Sequence, residues 1–288
     1  LMGADIDFNN PEVVEELNKW GKWYLDFTRV DSFRLDAVKH IKSGFMADWI
    51  RNMKEVRPNL QCVGEYWNRN IETLKEYIDN TNSTIPLFDV PLHYNFYEAA
   101  NSNGNYDLAR IFENTIVKEM PNLAVTFVDN HDTEPGQALF SFIPDWFKPL
   151  AYALILLRKG GLPCVFYGDY YGIPAQNVCD KKWMLDNLMQ LRKQYAYGEQ
   201  IDYFDHHDVI AWIRTGDDEH PNSGLVAIMS DGPGGGKTMN LGNKFANKIF
   251  YDYTGNVKET VYVDNEGNGI FYCNGGSVSV WVQKTENM

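Results

Sequence analysis

Arg34 and Asp36 stand two residues apart in the run 30–40, whose apolar and β-branched residues predict a buried strand. Residues two apart on a strand share a face, which would set the Asp36 carboxylate beside a guanidinium that stays protonated. An acid held ionised in this way can act as a nucleophile. A second apolar run, Cys62-Val63-Gly64-Glu65-Tyr66-Trp67, ends on a carboxyl group between aromatic rings. Apolar surroundings favour the neutral carboxylic acid and suit it to donate a proton. A third run, Val125-Thr126-Phe127-Val128-Asp129-Asn130-His131-Asp132-Thr133, delivers another polar cluster. Taken singly, each has a structural explanation: a buried ion pair, a Glu packing its stem on a Trp, a His-Asp turn. Three strand ends in series, each carrying an acid, fit a parallel barrel with its active site at the carboxyl ends of the strands.

The elements that would position these groups follow from periodicity. Asn10 and Pro11 predict a capped helix start, continued by the apolar stripe Val13, Val14, Leu17, Trp20, Trp23, Tyr24 and Phe27. Helices are predicted over roughly 43–57, 70–80, 105–119, 146–159 and 180–195, with strands at 86–90 and 162–167 between them. Strands alternating with helices at this spacing predict βα units and a parallel sheet. After about Tyr197 the pattern changes to short strands at 209–213, 225–229, 249–251, 260–263 and 278–282, separated by Gly, Asn and Asp turns. That predicts an antiparallel β-sandwich. The division expected is 1–198 for the barrel part and 199–288 for an all-β domain.

These segments resemble the core motifs of the α-amylase family of glycoside hydrolases, in particular the liquefying-type bacterial enzymes and their intracellular relatives. Phe33-Arg34-Leu35-Asp36-Ala37-Val38-Lys39-His40 is similar to that family's fourth-strand motif, Gly64-Glu65-Tyr66-Trp67 to its fifth, and Phe127-Val128-Asp129-Asn130-His131-Asp132 to its seventh. Phe166-Tyr167-Gly168-Asp169 follows the eighth. Ser32 departs from the Gly that commonly precedes the Phe. The resemblance implies an α/β fold: a partial (β/α)8 TIM barrel, strands 4–8, followed by the β-sandwich. It begins in what resembles the family's mid-protein segment, so the chain reads as the carboxyl-terminal portion of an amylase, expected to be inactive on starch by itself and prone to association.

The resemblance also implies roles. Asp36 would be the nucleophile, Glu65 the general acid/base and Asp132 the transition-state stabiliser. Arg34, Lys39, Trp67 and His131 would bind substrate. Starch, glycogen or maltooligosaccharides would be cleaved at α-1,4-glucosidic bonds by an endo-acting, retaining mechanism. The alternatives are a transglycosylating or exo-acting oligosaccharide-forming member of the same family, and a non-catalytic glucan-binding remnant. Calcium is implied twice. Asp5 and Asp7, with the backbone carbonyl of His40, resemble ligands of a metal cluster between barrel and insertion domain. Asn9 replaces an Asp that some relatives have. Gly104, Tyr106, His207, Asp208 and Asp231 resemble a second site between barrel and β domain; read without the family, His206-His207-Asp208 is an ordinary strand-end turn.

Composition limits the alternatives. A net charge of −13 opposes nucleic-acid binding, which needs a basic surface, and no run is long and apolar enough for a membrane span. Tryptophan and tyrosine are abundant, as suits stacking on sugar rings. Cys62, Cys164, Cys179 and Cys273 lack metal-ligand spacing; Cys62 and Cys164 fall in predicted core strands, which leans towards a reducing, cytoplasmic location, with secretion the alternative. The whole enzyme is expected to be monomeric. The run 231–238 approaches a phosphate-binding loop, but Asp231 stands where the first Gly is required.

Overall fold

The computed structural model describes residues 5–285. The chain begins with α1 (Pro11–Thr28), whose Asn10 side chain accepts the Glu12 N–H at 3.0 Å and whose first turn holds Pro11. These satisfy one orphan donor and avoid another. There follow β1 (Ser32–Leu35), α2 (Ser43–Val56), β2 (Gln61–Gly64), α3 (Ile71–Asn80), β3 (Leu87–Phe88), α4 (Val90–Asn101), α5 (Ile116–Glu119), β4 (Ala124–Phe127), α6 (Lys148–Leu156), β5 (Leu162–Cys164), α7 (Tyr167–Tyr171) and α8 (Lys182–Tyr195). The first four strands pair in parallel, Phe33 opposite Cys62, Gly64 opposite Leu87 and Phe88 opposite Val125. β5 completes a five-stranded sheet in chain order. This is the partial (β/α)8 barrel that the motif series predicts.

The remaining strands are β6 (Gln200–Tyr203), β7 (Val209–Arg214), β8 (Leu225–Ser230), β9 (Gly234–Asn240), β10 (Ile249–Asp252), β11 (Val261–Tyr262), β12 (Asn268–Asn274) and β13 (Ser277–Gln283). Six of them form a sheet in the order β11-β10-β13-β8-β7-β6, and β9 pairs with β12 in a separate antiparallel ribbon. Between them lies an apolar core that includes Ala211, Ile213, Val226, Ile228, Phe250, Phe271 and Trp281. This is the all-β architecture expected after residue 197. β9 occupies the stretch that approaches a phosphate-binding loop, where such a loop would require a helix.

By packing, the described residues form two compact units. One runs up to Pro91 and includes Asn114–Val125; the other contains Leu92–Glu113 and everything from Thr126 onward. The first has a continuous core from Leu25, Val38, Ile50, Met53, Leu74, Ile78 and Leu87.

Several expectations are corrected. No long helix spans 105–119: a single 3-10 turn at Leu108–Arg110 and the one-turn α5 take its place, while the helix of that region is α4. Pro91 lies in the first turn of α4, where the missing N–H costs nothing. The strand at 162–167 stops at Cys164, because Phe166 already starts α7 as its N-cap. β1 is half-exposed rather than buried. Cys164 is exposed, and the second buried cysteine beside Cys62 is Cys273. On α1 only Gly21 and Leu25 are buried, whereas Trp20, Trp23 and Phe27 are exposed; the apolar stripe is wider than one neighbouring helix can cover.

Candidate active site

β1 ends at Leu35, so Asp36 lies just beyond the strand rather than within it. The chain turns there, with Ala37 in the left-handed region at φ 46°, and the single 3-10 turn Val38–His40 follows. The turn is pinned to the end of β2. Glu65 N–H donates to the Leu35 carbonyl at 2.8 Å, and Val38 N–H donates to the Glu65 carbonyl at 3.0 Å. Leu35 and Glu65, 30 positions apart, are therefore in direct hydrogen-bonded contact where β1 and β2 pair in parallel.

One guanidinium links the two candidate catalytic acids. Arg34 Nη1 lies 2.6 Å from Asp36 Oδ1, and Arg34 Nη2 lies 3.5 Å from Glu65 Oε2. Glu65 Oε2 also accepts the Ala37 N–H at 3.1 Å. The surroundings of the two acids differ: the Asp36 side chain is 72 % exposed and that of Glu65 only 9 %. Its neighbour Tyr66 packs on Tyr77 at 5.1 Å between ring centres. The cation and the backbone donor reach Glu65 only through the pairing of β1 with β2, which local sequence does not show. Lys39 and His40 are exposed on the 3-10 turn, and Trp67 is half-buried after β2.

The other compact unit carries His131 and Asp132, whose Nε2 and Oδ2 lie 3.4 Å apart. Their turn is held from within. Asn130 Oδ1 accepts the N–H groups of Asp132 and Thr133. Thr133 Oγ1 donates to Asp129 Oδ1 at 2.9 Å. Beneath it lies a buried polar group that sequence reasoning missed. Lys148, fully buried, reaches Asp129 Oδ2 at 2.8 Å and also bonds Asp169, which accepts Tyr152 Oη at 2.6 Å. Burial pushes the Asp129 carboxyl up to about 7, with Lys148 opposing and Asp169 reinforcing the shift. The only signal was the presence of Asp129 and Asp169 in polar motifs after apolar strands; nothing marked Lys148 as their partner. On the other side His93, also buried, bonds the Val128 carbonyl and Ser141 Oγ.

The residues named for the second calcium site converge in that same unit. Asp231 is 7 % exposed, and neither of its carboxylate oxygens has a hydrogen-bond partner. Burial pushes its carboxyl up to about 6, with the nearby Asp208 adding to the shift. A Cβ on Gly104 would lie 3.1 Å from the Asp231 carbonyl, and one on Gly232 3.1 Å from the Asp208 carboxyl carbon. The His207 carbonyl accepts the Leu108 N–H at 2.7 Å, which binds the 3-10 turn after Tyr106 to the loop before β7. His206, His207 and Asp208 also offer ligand atoms within 4.8 Å of one another. Orphaned carboxylate oxygens beside a second carboxylate are what a hard cation would relieve. Asp5 and Asp7 are exposed, and each accepts a local backbone N–H group.

Parallel strands ending in paired carboxyl groups, followed along the chain by a β-sandwich, define a glycoside-hydrolase type of barrel. The chain belongs to the α-amylase family: the family model for the α-amylase catalytic domain matches residues 2–203, and that for the α-amylase C-terminal domain matches 226–282. It is 55 % identical over 285 residues to an α-amylase of Geobacillus stearothermophilus, covering 99 % of this chain and 52 % of that protein. It is 51 % identical to a glucan 1,4-α-maltohexaosidase of Bacillus sp. (strain 707), covering 99 % and 55 %. With the cytoplasmic α-amylase of Escherichia coli identity is 46 %, covering 98 % and 59 %. The chain thus spans about half the length of the curated relatives it matches. The fold is also that of an Anoxybacillus α-amylase crystal structure, with a TM-score of 0.72 at 20 % identity, covering 96 % of this chain and 64 % of that one. Among the described residues no helix is long and apolar enough to cross a membrane.

Proposed function

We propose that this chain supplies the catalytic carboxyl groups of a retaining, endo-acting α-amylase, with starch, glycogen or maltooligosaccharides as substrates. The observation that carries the reading is the shared guanidinium of Arg34, which ties Asp36 to Glu65 across β1 and β2. A retaining hydrolase needs two carboxyl groups with unlike roles, and these two have unlike environments. The exposed Asp36 attacks the anomeric carbon while Glu65 donates a proton to the departing glycosidic oxygen. Glu65 then takes a proton from water, whose oxygen displaces Asp36 from the glycosyl-enzyme and restores the original configuration. Asp132 and His131 hold hydroxyls of the same sugar; Lys39 and Trp67 act on the leaving-group side, one by charge and one by stacking.

Calcium belongs to the same reading. Asp208 and Asp231 would hold it through side chains, and Gly104, Tyr106 and His207 through carbonyls; its role is to neutralise buried carboxylates and so stabilise the fold. Asp5, Asp7 and His40 are assigned to another calcium site. The domain division is 1–198 and 199–288, and the enzyme acts as a monomer. The buried thiols of Cys62 and Cys273 lean towards a reducing, cytoplasmic setting, with secretion the alternative.

The test joins this chain to the part of the Geobacillus α-amylase that it does not match and measures hydrolysis of soluble starch. A broad ladder of oligomers with retained α configuration is expected. A single dominant short product would replace endo cleavage by exo action, and no hydrolysis would remove the reading.

A further inference from the structure

Trp183 opens the first turn of α8 with 73 % of its surface exposed, an uncommon position for so large an apolar ring. It borders a cleft of about 150 Å³. Asn187, one helical turn along α8, lines the same cleft, as do Thr254, Asn256 and Val278 from the β domain. No charged side chain is among the described residues lining it, although the protein carries a net charge of −13.

The polar groups of the cleft are arranged unequally. Asn256 Nδ2 donates to Thr254 Oγ1 at 3.2 Å and to the Val278 carbonyl at 2.8 Å. Thr254 Oγ1 donates in turn to Asp252 Oδ1 at 2.6 Å. These bonds fix the Asn256 amide and leave its Oδ1 as an acceptor. The Asn187 side chain has no protein hydrogen bond among the described residues, so its amide offers both a donor and an acceptor.

We propose that this cleft is a further α-glucan-binding site, sharing no residue with the proposed catalytic set. A pyranose presents a flat C–H face rimmed by hydroxyls. The indole takes the face, Asn256 Oδ1 accepts from one hydroxyl, and the Asn187 amide exchanges bonds with another. A neutral cleft on an acidic protein matches a neutral polymer, because anionic ligands are repelled by the surrounding charge and a cation would find no carboxylate in the lining. The identity of the sugar rests on the proposed function, whereas the existence of the site rests on the cleft.

The test is affinity electrophoresis of the 288-residue chain in native gels containing amylopectin. Trp183→Ala, Trp183→Phe and Asn187→Ala are compared with the parent, all in a Glu65→Gln background so that the polymer is not cut. The parent is expected to be retarded. Trp183→Ala should weaken binding on the order of tenfold, the effect of losing one aromatic platform. Trp183→Phe should keep part of the retardation. Equal retardation of the parent and Trp183→Ala overturns the proposal, as does an unretarded parent. Starch hydrolysis by the joined enzyme with Glu65 intact separates the two readings. Hydrolysis without Trp183-dependent retardation sinks the cleft alone, while Trp183-dependent retardation without hydrolysis supports the cleft and sinks the catalytic reading.

Discussion

Lys148 Nζ lies 2.8 Å from Asp129 Oδ2 with both side chains completely buried, and Asp129 stands just upstream of the proposed Asp132 in the same turn. The cation also bonds Asp169, so one positive charge serves two carboxylates in the protein interior. Asp129 further accepts the Thr133 hydroxyl and the Ile143 N–H, which makes this cluster the anchor of the His131–Asp132 turn. Substituting Lys148 by Met removes the cation and leaves two buried acids facing each other. The expected loss is about 3–5 kcal/mol of stability, read from denaturant unfolding. A loss below about 1 kcal/mol would show that the cluster does not anchor the turn.

The raised pKa of Asp129 gives a pH signature of its own. Its folded value, about 7, lies above the ordinary 3.8, so between these limits the folded state binds more protons than the unfolded one. This contribution to stability is full below pH about 4 and is lost as pH rises through about 7. Asp129→Asn should remove that slope. Unfolding curves for parent and variant at pH 5 and 8 should therefore differ less for the variant. A parent whose stability rises over this interval as steeply as the variant's would refute the assignment.

In the joined enzyme, Asp36→Asn and Glu65→Gln should each lower kcat on soluble starch by at least about 100-fold while the melting temperature changes little. Each substitution keeps shape but deletes a nucleophile or a proton donor. Activity above about a tenth of the parent in either variant would show that chemistry resides elsewhere.

Calcium should raise the melting temperature of the 288-residue chain. Metal bound only by the folded state stabilises it by about 2.7 kcal/mol at a hundredfold excess over Kd. Asp208→Ala and Asp231→Asn should abolish the response, because the orphaned oxygens of Asp231 and the nearby carboxylate of Asp208 are the anionic donors there. A response that survives both substitutions would place the metal at another site.

Much of the site could be read from local sequence, because its chemistry is written in runs of a few residues. Arg34 and Asp36 lie two positions apart, Glu65 ends its own apolar run, and Asn10 with Pro11 marks the start of α1 without any tertiary information. The change from alternating strand and helix to short strands after residue 197 likewise follows from hydrophobic period alone. What only the tertiary structure decided are the pairings over long separations. Parallel pairing of β1 with β2 brings Arg34 to Glu65, and the packing of α6 supplies Lys148 to Asp129 and Asp169, from positions where a lysine in an apolar helix carries no mark of its partner. The strands β6, β9 and β12 were missed for the same reason. Gly234-Gly235-Gly236 has no strand propensity of its own, and it is extended because Asn274, Cys273 and Tyr272 of β12 pair with it. Local propensity and motif fix which groups can do chemistry; register and burial fix which of them meet, since those energies exist only once distant segments exclude water together.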